Sequence, residues 1–397
     1  MKNIRIFLIL LLLSTLYNCK KESFSPIEDV HKKNYIKTSY QLSNYDNWLS
    51  SNDIYYNGAQ YTEWNPLIDQ QFCQIDINGD GLEDIFYYDS YLLTEPISNK
   101  TPSIFINNGH ILNKESLVCP NIINSHGSKL LIGDFNNDSY PDIFSCVGFD
   151  LPTNSANKIQ TQVCHLLFNL PDGFKIKEFD DQIGFWHTGC SGDIDNDGDL
   201  DIIIFNFNYH GNNVCSKILW NDGKGNFTYD ISGFSEIAPV DHSELYDVNN
   251  DGFLDLVISY IDNSINTKNI VIMWGNGKDF NLSNSTSFVY SNYLSLMDID
   301  FTDINNDGIS EIIISGTDIS NGTNYGFIKY FIDIYQSNNK GNTFIKKTKQ
   351  YFDINYFTRF GHMIIKDIDN NSKLDIYASD KKDNIRWEWN GSMFIKK

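Results

Sequence analysis

Six acidic nonapeptides at even intervals constrain the fold of this chain more than any other feature. They read DINGDGLED (Asp76 to Asp84), DFNNDSYPD (Asp134 to Asp142), DIDNDGDLD (Asp193 to Asp201), DVNNDGFLD (Asp247 to Asp255), DINNDGISE (Asp303 to Glu311) and DIDNNSKLD (Asp367 to Asp375). Successive copies start 58, 59, 54, 56 and 64 residues apart. Spacing this regular marks an architecture in which one supersecondary unit is copied along the chain. The six segments together hold 21 carboxylates, and like charges this close repel. Something must offset that repulsion wherever the segments fold.

The flanks repeat as well. An apolar run leads into each segment, as in KLLIGD before Asp134 and HMIIKD before Asp367, and a β-branched run follows, as in DIIIFNF, DLVISY and EIIISG. A third apolar run ends in Asn or Gly (SIFINNG, KILWNDGKG, VIMWGNG, IRWEWNG), and a short fourth piece such as FTYD closes the unit. Val, Ile, Phe and Tyr favour strands, and no unit carries a helical pattern of useful length. The unit reads as strand A, acidic loop, strand B, loop, strand C, tight turn, strand D. A lone four-stranded sheet of about 58 residues cannot bury both faces; sheets repeated radially can, and that arrangement is a β-propeller. The expected fold is all-β, a propeller of six clear four-stranded blades with room for a degenerate seventh. Composition agrees: 41% hydrophobic residues, 14% aromatic and 20% charged describe a folded, strand-rich chain.

The order strand, D-x-[DN]-x-[DN]-G-x-x-[DE], strand resembles the FG-GAP or VCBS repeat family, which includes the integrin α-subunit head. The resemblance spans about residues 70–397. It implies a propeller with cation-binding A–B loops, and adhesion, lectin-like or protein-interaction roles.

The acidic loop has its own chemistry. Positions 1, 3, 5 and 9 supply carboxylate and amide oxygens, and a tight turn makes them converge. Gly81, Gly198, Gly252 and Gly308 at position 6 suit a left-handed bend. With a carbonyl from position 7, such a cage is hard, flexible and made of oxygen alone, which favours Ca²⁺ over Mg²⁺ or a transition metal. The candidate ligands are Asp76, Asn78, Asp80 and Asp84; Asp134, Asn136, Asp138 and Asp142; Asp193, Asp195, Asp197 and Asp201; Asp247, Asn249, Asp251 and Asp255; Asp303, Asn305, Asp307 and Glu311; and Asp367, Asp369, Asn371 and Asp375. An EF-hand is excluded, because position 12 falls on Tyr87 or Ile204 and a strand follows. Ser139 and Ser372 replace the glycine in the second and sixth loops, and Asn371 removes one charge from the sixth. In those two the competing reading, an acidic turn held by backbone hydrogen bonds with no ion, gains weight. Repetition in every blade marks structural ions; a catalytic metal is expected once, with an open position.

The N-terminus carries a targeting signal. Lys2 and Arg5 precede the apolar run Ile6 to Leu16, which is short for a membrane span and ends at LYNC. Cys19 after such a run resembles a bacterial lipobox, so residues 1–18 are expected as a lipoprotein signal peptide and Cys19 as the lipidated residue. The following KKE resembles a surface-export tag of Bacteroidetes lipoproteins. The expected product is an exported lipoprotein of the outer membrane, on its surface or periplasmic side, touching the membrane through the anchor alone. Residues 19–69 read as a tether with side-packed strands or as the degenerate seventh blade, and 70–397 as the propeller. The other cysteines (Cys73, Cys119, Cys146, Cys164, Cys190 and Cys215) show no zinc or C-x-x-C spacing. They read as buried thiols, with Cys146 and Cys164 the one candidate pair. A net charge of −21 argues against nucleic acid or an anionic membrane surface as partner.

His126, His187, His242 and His362 fall 8, 6, 5 and 5 residues ahead of their acidic loops. Trp186 and Tyr293 sit nearby, and Tyr209 and His210 lie in a B–C loop. Strand A would line the central channel, so these residues are expected near its mouth on the face away from the acidic loops. One reading is a glycan or protein ligand site; the other is a polar plug of the channel. The leading functional expectation is a tethered binding or adhesion module. The alternative is a polysaccharide-lyase-like enzyme with His187 or His242 as base. Such an enzyme must stabilise a uronate carboxylate, and only Arg359 and Arg386 occur in the repeats. No Ser-His-Asp, P-loop or dinucleotide signature is present.

Overall fold

The computed structural model describes residues 70–397 apart from 83, 90–101, 108–111, 116–118, 121–128, 147–162, 185, 207–214, 232, 235–236, 238, 263–266, 292–293, 319–328, 339–340, 342, 353–355, 358–362, 368–370 and 380–383. The expected signal peptide, Cys19 and the segment 19–69 therefore lie outside the described residues. No helix among the described residues is long and apolar enough to cross a membrane.

The described chain is all-β. Its first sheet holds β1 (Gln70–Ile75), β2 (Asp84–Asp89), β3 (Ser103–Asn107) and β4 (Leu112–Glu115). The second holds β5 (Leu130–Gly133), β6 (Asp142–Ser145), β7 (Val163–Leu170) and β8 (Gly173–Ile183), and the third β9 (Trp186–Gly192), β10 (Asp201–Asn206), β11 (Lys217–Asn221) and β12 (Phe227–Asp230). The fourth has β13 (Val240–Tyr246), β14 (Asp255–Asp262), β15 (Thr267–Met273) and β16 (Ser285–Ser291). The fifth has β17 (Leu294–Thr302), β18 (Glu311–Asp318), β19 (Lys329–Asn338) and β20 (Thr343–Lys346), with β21 (Tyr356–Phe357) pairing onto β19. The sixth has β22 (Met363–Lys366), β23 (Asp375–Ser379), β24 (Asn384–Trp389) and β25 (Phe394–Lys396). In each sheet the strands lie in chain order, and the pairs are antiparallel.

Register places the acidic segment in each sheet. Its ninth residue opens the second strand and pairs with the last residue of the first: Ile75 with Asp84, Gly133 with Asp142, Gly192 with Asp201, Tyr246 with Asp255, Thr302 with Glu311 and Lys366 with Asp375. Each nonapeptide is therefore the hairpin connection between strands A and B.

The sheets pack face to face in series, and the β-branched second strands show why. In β10 every residue is buried. Alternate side chains point to opposite faces, so Ile202 and Ile204 pack with Leu131, Phe144 and Leu166 of the second sheet, while Ile203 and Phe205 pack with Leu245, Leu256 and Ile258 of the fourth. In β14, Leu256 and Ile258 face the third sheet and Val257 faces the fifth. In β18, Ile312 and Ile314 face the fourth sheet and Ile313 the sixth. A strand covered on both sides needs a continuous apolar run, not an alternating one, and DIIIF, DLVI and EIII supply it. Aromatic rings seal the gaps: Tyr246 stacks on Phe301 with centroids 4.4 Å apart between the fourth and fifth sheets. Along the series, the backbones of neighbouring sheets approach most closely at their first strands, β1 to β5, β5 to β9, β9 to β13, β13 to β17 and β17 to β22.

Truncating one of these doubly covered residues should open a cavity. Ile203→Ala is expected to cost about 2–5 kcal/mol in urea unfolding. Val289→Ala, on an outer strand where Val289 is 56% exposed, should change stability by no more than about 0.5 kcal/mol. Equal effects at the two sites would contradict the packing order.

Candidate functional site

The acidic turns are built by one hydrogen-bond pattern repeated in six sheets. The first aspartate accepts the amide of position 5 through Oδ1 and of position 6 through Oδ2. Asp76, Asp134, Asp193, Asp247, Asp303 and Asp367 all do this, at 2.7–3.1 Å. The fifth residue then caps the amide of position 7: Asp80 accepts from Leu82, Asp138 from Tyr140, Asp197 from Asp199, Asp251 from Phe253, Asp307 from Ile309 and Asn371 from Lys373. The turn needs a left-handed residue at position 6. Gly81, Gly198, Gly252 and Gly308 provide it at φ between 83° and 97°, and Ser139 and Ser372 adopt the same bend at 72° and 65° despite their side chains. The serines therefore alter the strain of the turn and not its shape.

The ninth position is the deepest. Asp84, Asp142, Asp201 and Asp255 are 0–2% exposed. Each accepts one amide from position 2 of its own turn (Ile77, Phe135, Ile194 and Val248) and one from the end of strand C or just beyond it (Asn107, Asn169, Asn221 and Gly275). Glu311 binds the Ile304 amide and the Asn305 side chain. Each carboxylate oxygen has a second lone pair, so the same group can serve the turn and a cation. Burial pushes Asp84 up to about 6 and Asp142, Asp201, Asp255 and Glu311 up to about 7; the amide hydrogen bonds oppose the rise, and the neighbouring turn aspartates add to it.

The donor set fits a hard cation in the first five turns. In the third, carboxylate oxygens of Asp193, Asp195 and Asp197 lie within 4.8 Å of one another, and burial together with this crowding raises both Asp193 and Asp195. In three of the four turns with Asn at position 3, its Nδ2 donates to the position-5 carboxylate: Asn78 to Asp80, Asn136 to Asp138 and Asn249 to Asp251, each at 3.0 Å; in the fifth, Asn305 donates to Glu311 instead. An amide N–H there takes the role that positive charge would otherwise fill. The Oδ1 atoms of Asn249 and Asn305 are buried without a hydrogen-bond partner, and a cation held between positions 1, 3 and 5 would satisfy them.

The sixth turn is built differently. Arg386 grips both oxygens of Asp375 from its Nε and Nη2, at 3.0 and 3.1 Å. Asn371 and Lys373 turn toward Glu388, which Lys397 also binds, and these donors, with Lys397 foremost, bring Glu388 down to about 2. Positive charge in this turn comes from the chain itself. Asp369 lies outside the described residues.

Two sets of asparagines, not singled out in the sequence, join one turn to the next. Position 4 takes a positive φ in Asn137, Asn196 and Asn250. Their amides reach forward, from Asn137 to Asp199, from Asn196 to the Gly252 carbonyl and from Asn250 to the Gly308 carbonyl. At the end of strand C, Asn169 and Asn221 reach backward to the carbonyls of Ile77 and Phe135 in the preceding turn. The recurring Asn after each apolar run was the available signal for the second set.

The channel candidates divide. Trp186 is fully buried in the core between the second and third sheets, with Lys217 Nζ 5.1 Å from its ring centre. Its indole is packing and offers no face to a sugar. His242 is buried among Lys129, Glu244 and Asp298, three residues the sequence reading did not pick. His187 lies in β9, but its side chain is outside the described residues, as are His126, Tyr209, His210, Tyr293 and His362. Cys119, Cys146, Cys164, Cys190 and Cys215 form no disulfide, so the candidate Cys146–Cys164 pair is not bridged, and Cys146, Cys164 and Cys190 are buried.

Two predictions follow from the turns. Ser139→Gly relieves a left-handed residue with a side chain and should stabilise the protein by about 0.5–1 kcal/mol, read from its urea midpoint. The raised carboxyls hold protons more tightly in the folded than in the unfolded chain. Without divalent cations, their contribution to stability is therefore full near pH 4 and is lost as pH rises to about 7. Melting temperature in EDTA should fall across that window, and excess Ca²⁺ should flatten the fall by replacing the protons. A flat profile in EDTA would contradict this assignment.

Residues 76–145, 193–258 and 247–314 match the FG-GAP-like repeat family. The matched stretches take in the first five acidic turns and cover a little under half of the chain. No curated protein matches the chain. By these matches and by its sheets, the chain is an all-β protein carrying FG-GAP-like repeats in three places.

Proposed function

We propose that the chain is a six-bladed β-propeller, stiffened by Ca²⁺ in its acidic turns, that works as a binding or adhesion module for a glycan or protein ligand. In this reading it is an exported lipoprotein, held at the outer membrane by a lipid on Cys19. The observation that carries the proposal is the identical turn in successive sheets. The first and fifth side chains converge, the ninth is buried beneath them, and the first strands of neighbouring sheets run side by side. Radial packing accounts for that proximity at one edge of each sheet, as blades around an axis. Repeated oxygen-rich turns suit a cation that fixes shape better than one that performs chemistry.

The first five turns are the proposed Ca²⁺ sites. The sixth, with Arg386 on Asp375, is closed by protein cations. A cation bound only to the folded state stabilises it by about 2.7 kcal/mol per site at a hundred times its Kd. Melting temperature should rise by more than ten degrees between EDTA and millimolar Ca²⁺, and equilibrium dialysis should count about five ions per chain. Asp193→Asn should remove one of these. No thermal response and no bound Ca²⁺ would remove the basis of the proposal.

The second reading, a lyase-type enzyme, finds one point of support. Lys129 Nζ lies 3.5 Å from His242 Nε2, a cation beside a candidate base. That ammonium also serves the Ser243 carbonyl and Glu244, and His242 is itself bonded to Glu244, so binding leads. Glycan-array binding and an absorbance assay for unsaturated uronates, each with and without chelator, separate the two. Turnover lost in His242→Ala would reverse their order.

A further inference from the structure

Apart from the acidic turns, one cluster of a different kind lies on the first strands. Lys129 immediately precedes β5, Thr188 is in β9, His242 and Glu244 are in β13, and Asp298 is in β17. Lys129, Thr188, His242 and Asp298 each stand five residues ahead of the first aspartate of their own turn, so four consecutive sheets bring polar residues to one level. The strands are shaped for it. Pairing skips one residue in β9 between Trp186 and Thr188, one in β13 between Val240 and His242, and one in β17 between Leu296 and Asp298. A bulge of this kind re-aims the side chain that follows it, and here the same bulge recurs in three sheets directly before the clustered residues.

Within the cluster, His242 Nε2 lies 3.0 Å from Glu244 Oε1 and 3.5 Å from Asp298 Oδ1, and all three atoms fall within 4.8 Å of one another. In a tetrahedral site with metal–ligand distances of about 2.0–2.1 Å, ligand atoms stand about 3.3 Å apart. One imidazole and two carboxylates suit borderline metals, whereas Ca²⁺ takes oxygen only. Lys129 Nζ sits against Glu244 Oε1, 2.8 Å from the Ser243 carbonyl and 3.5 Å from His242 Nε2. Among the described residues it is one positive charge facing two carboxylates. Access exists, since the Lys129 and Asp298 side chains are 22% and 29% exposed against 11% for His242 and 10% for Glu244. Lys129 can withdraw toward solvent on its flexible stem.

We propose that His242, Glu244 and Asp298 form a binding site for one divalent cation of the Zn²⁺ class, with Lys129 as the competing internal cation at Glu244. The site is chemically separate from the Ca²⁺ turns: among the described residues it occurs once, it includes nitrogen, and it has three protein ligands. It ties the fourth sheet to the fifth at the level where Lys129 ties the second to the fourth.

The test uses the full chain in saturating Ca²⁺, titrated with Co²⁺ as a spectroscopic stand-in for Zn²⁺. One equivalent should bind, with the intense visible absorption of a tetrahedral N/O site, and Zn²⁺ should displace it. Asp298→Asn and His242→Ala should each abolish that band, with circular dichroism reporting whether the fold is kept. If His242→Ala does not fold, the Asp298→Asn spectrum decides. Lys129→Met should tighten the metal at least about tenfold by removing its competitor. The proposal is overturned if neither the unaltered chain nor Lys129→Met takes up Co²⁺, if a near-ultraviolet thiolate band shows that cysteine holds the metal, or if the folded variants keep the band unchanged.

Discussion

In the first four turns the carboxylate at the ninth position is removed from water and given backbone amides in return. Asp201 shows the arrangement most plainly: one oxygen receives the Ile194 amide from its own turn, the other the Asn221 amide at the end of strand C. A buried carboxylate with fewer donors would be costly, so this residue fixes where the turn folds back and where the third strand ends. It also opens the second strand, whose apolar residues fill the space between neighbouring sheets. Turn geometry, strand register and sheet packing thus share one anchor. In the sixth sheet a guanidinium, Arg386, donates to both oxygens of that anchor.

Much of this was legible in the sequence because it rests on period and residue type. The even spacing gave the sheet count, and the left-handed residue at position 6 follows from Gly81, Gly198, Gly252 and Gly308. Continuous runs such as DIIIF are what a strand covered on both faces requires. Among the described residues, the antiparallel four-stranded sheets and their strand order agree with that reading.

What the sequence hid depends on directions that no pattern states. Trp186 was placed near a ligand face because of its distance from the turn, yet the skipped residue in β9 leaves it in the core. The same class of bulge precedes His242 and Asp298, which meet Lys129 from a third sheet although the three are 113 and 56 residues apart in sequence. The ninth position was read as a cation ligand, and its hydrogen bonds to the backbone become visible only when strand C is in place. Arg386 was noted as a scarce arginine, but its grip on Asp375 depends on a cross-strand neighbour that spacing alone does not reveal.

The asparagine links between turns carry a direction. Asn196 and Asn250 each donate to the turn that comes after, and Asn169 and Asn221 each donate to the turn that comes before. The second, third and fourth units therefore bear both halves of a head-to-tail joint, a donor asparagine and a receiving oxygen. Joints of this kind are heterologous and fit any neighbour of the same make. A duplicated copy inserted between two others would find its partners ready on both sides, so a chain of this design can lengthen by whole units without reworking its seams.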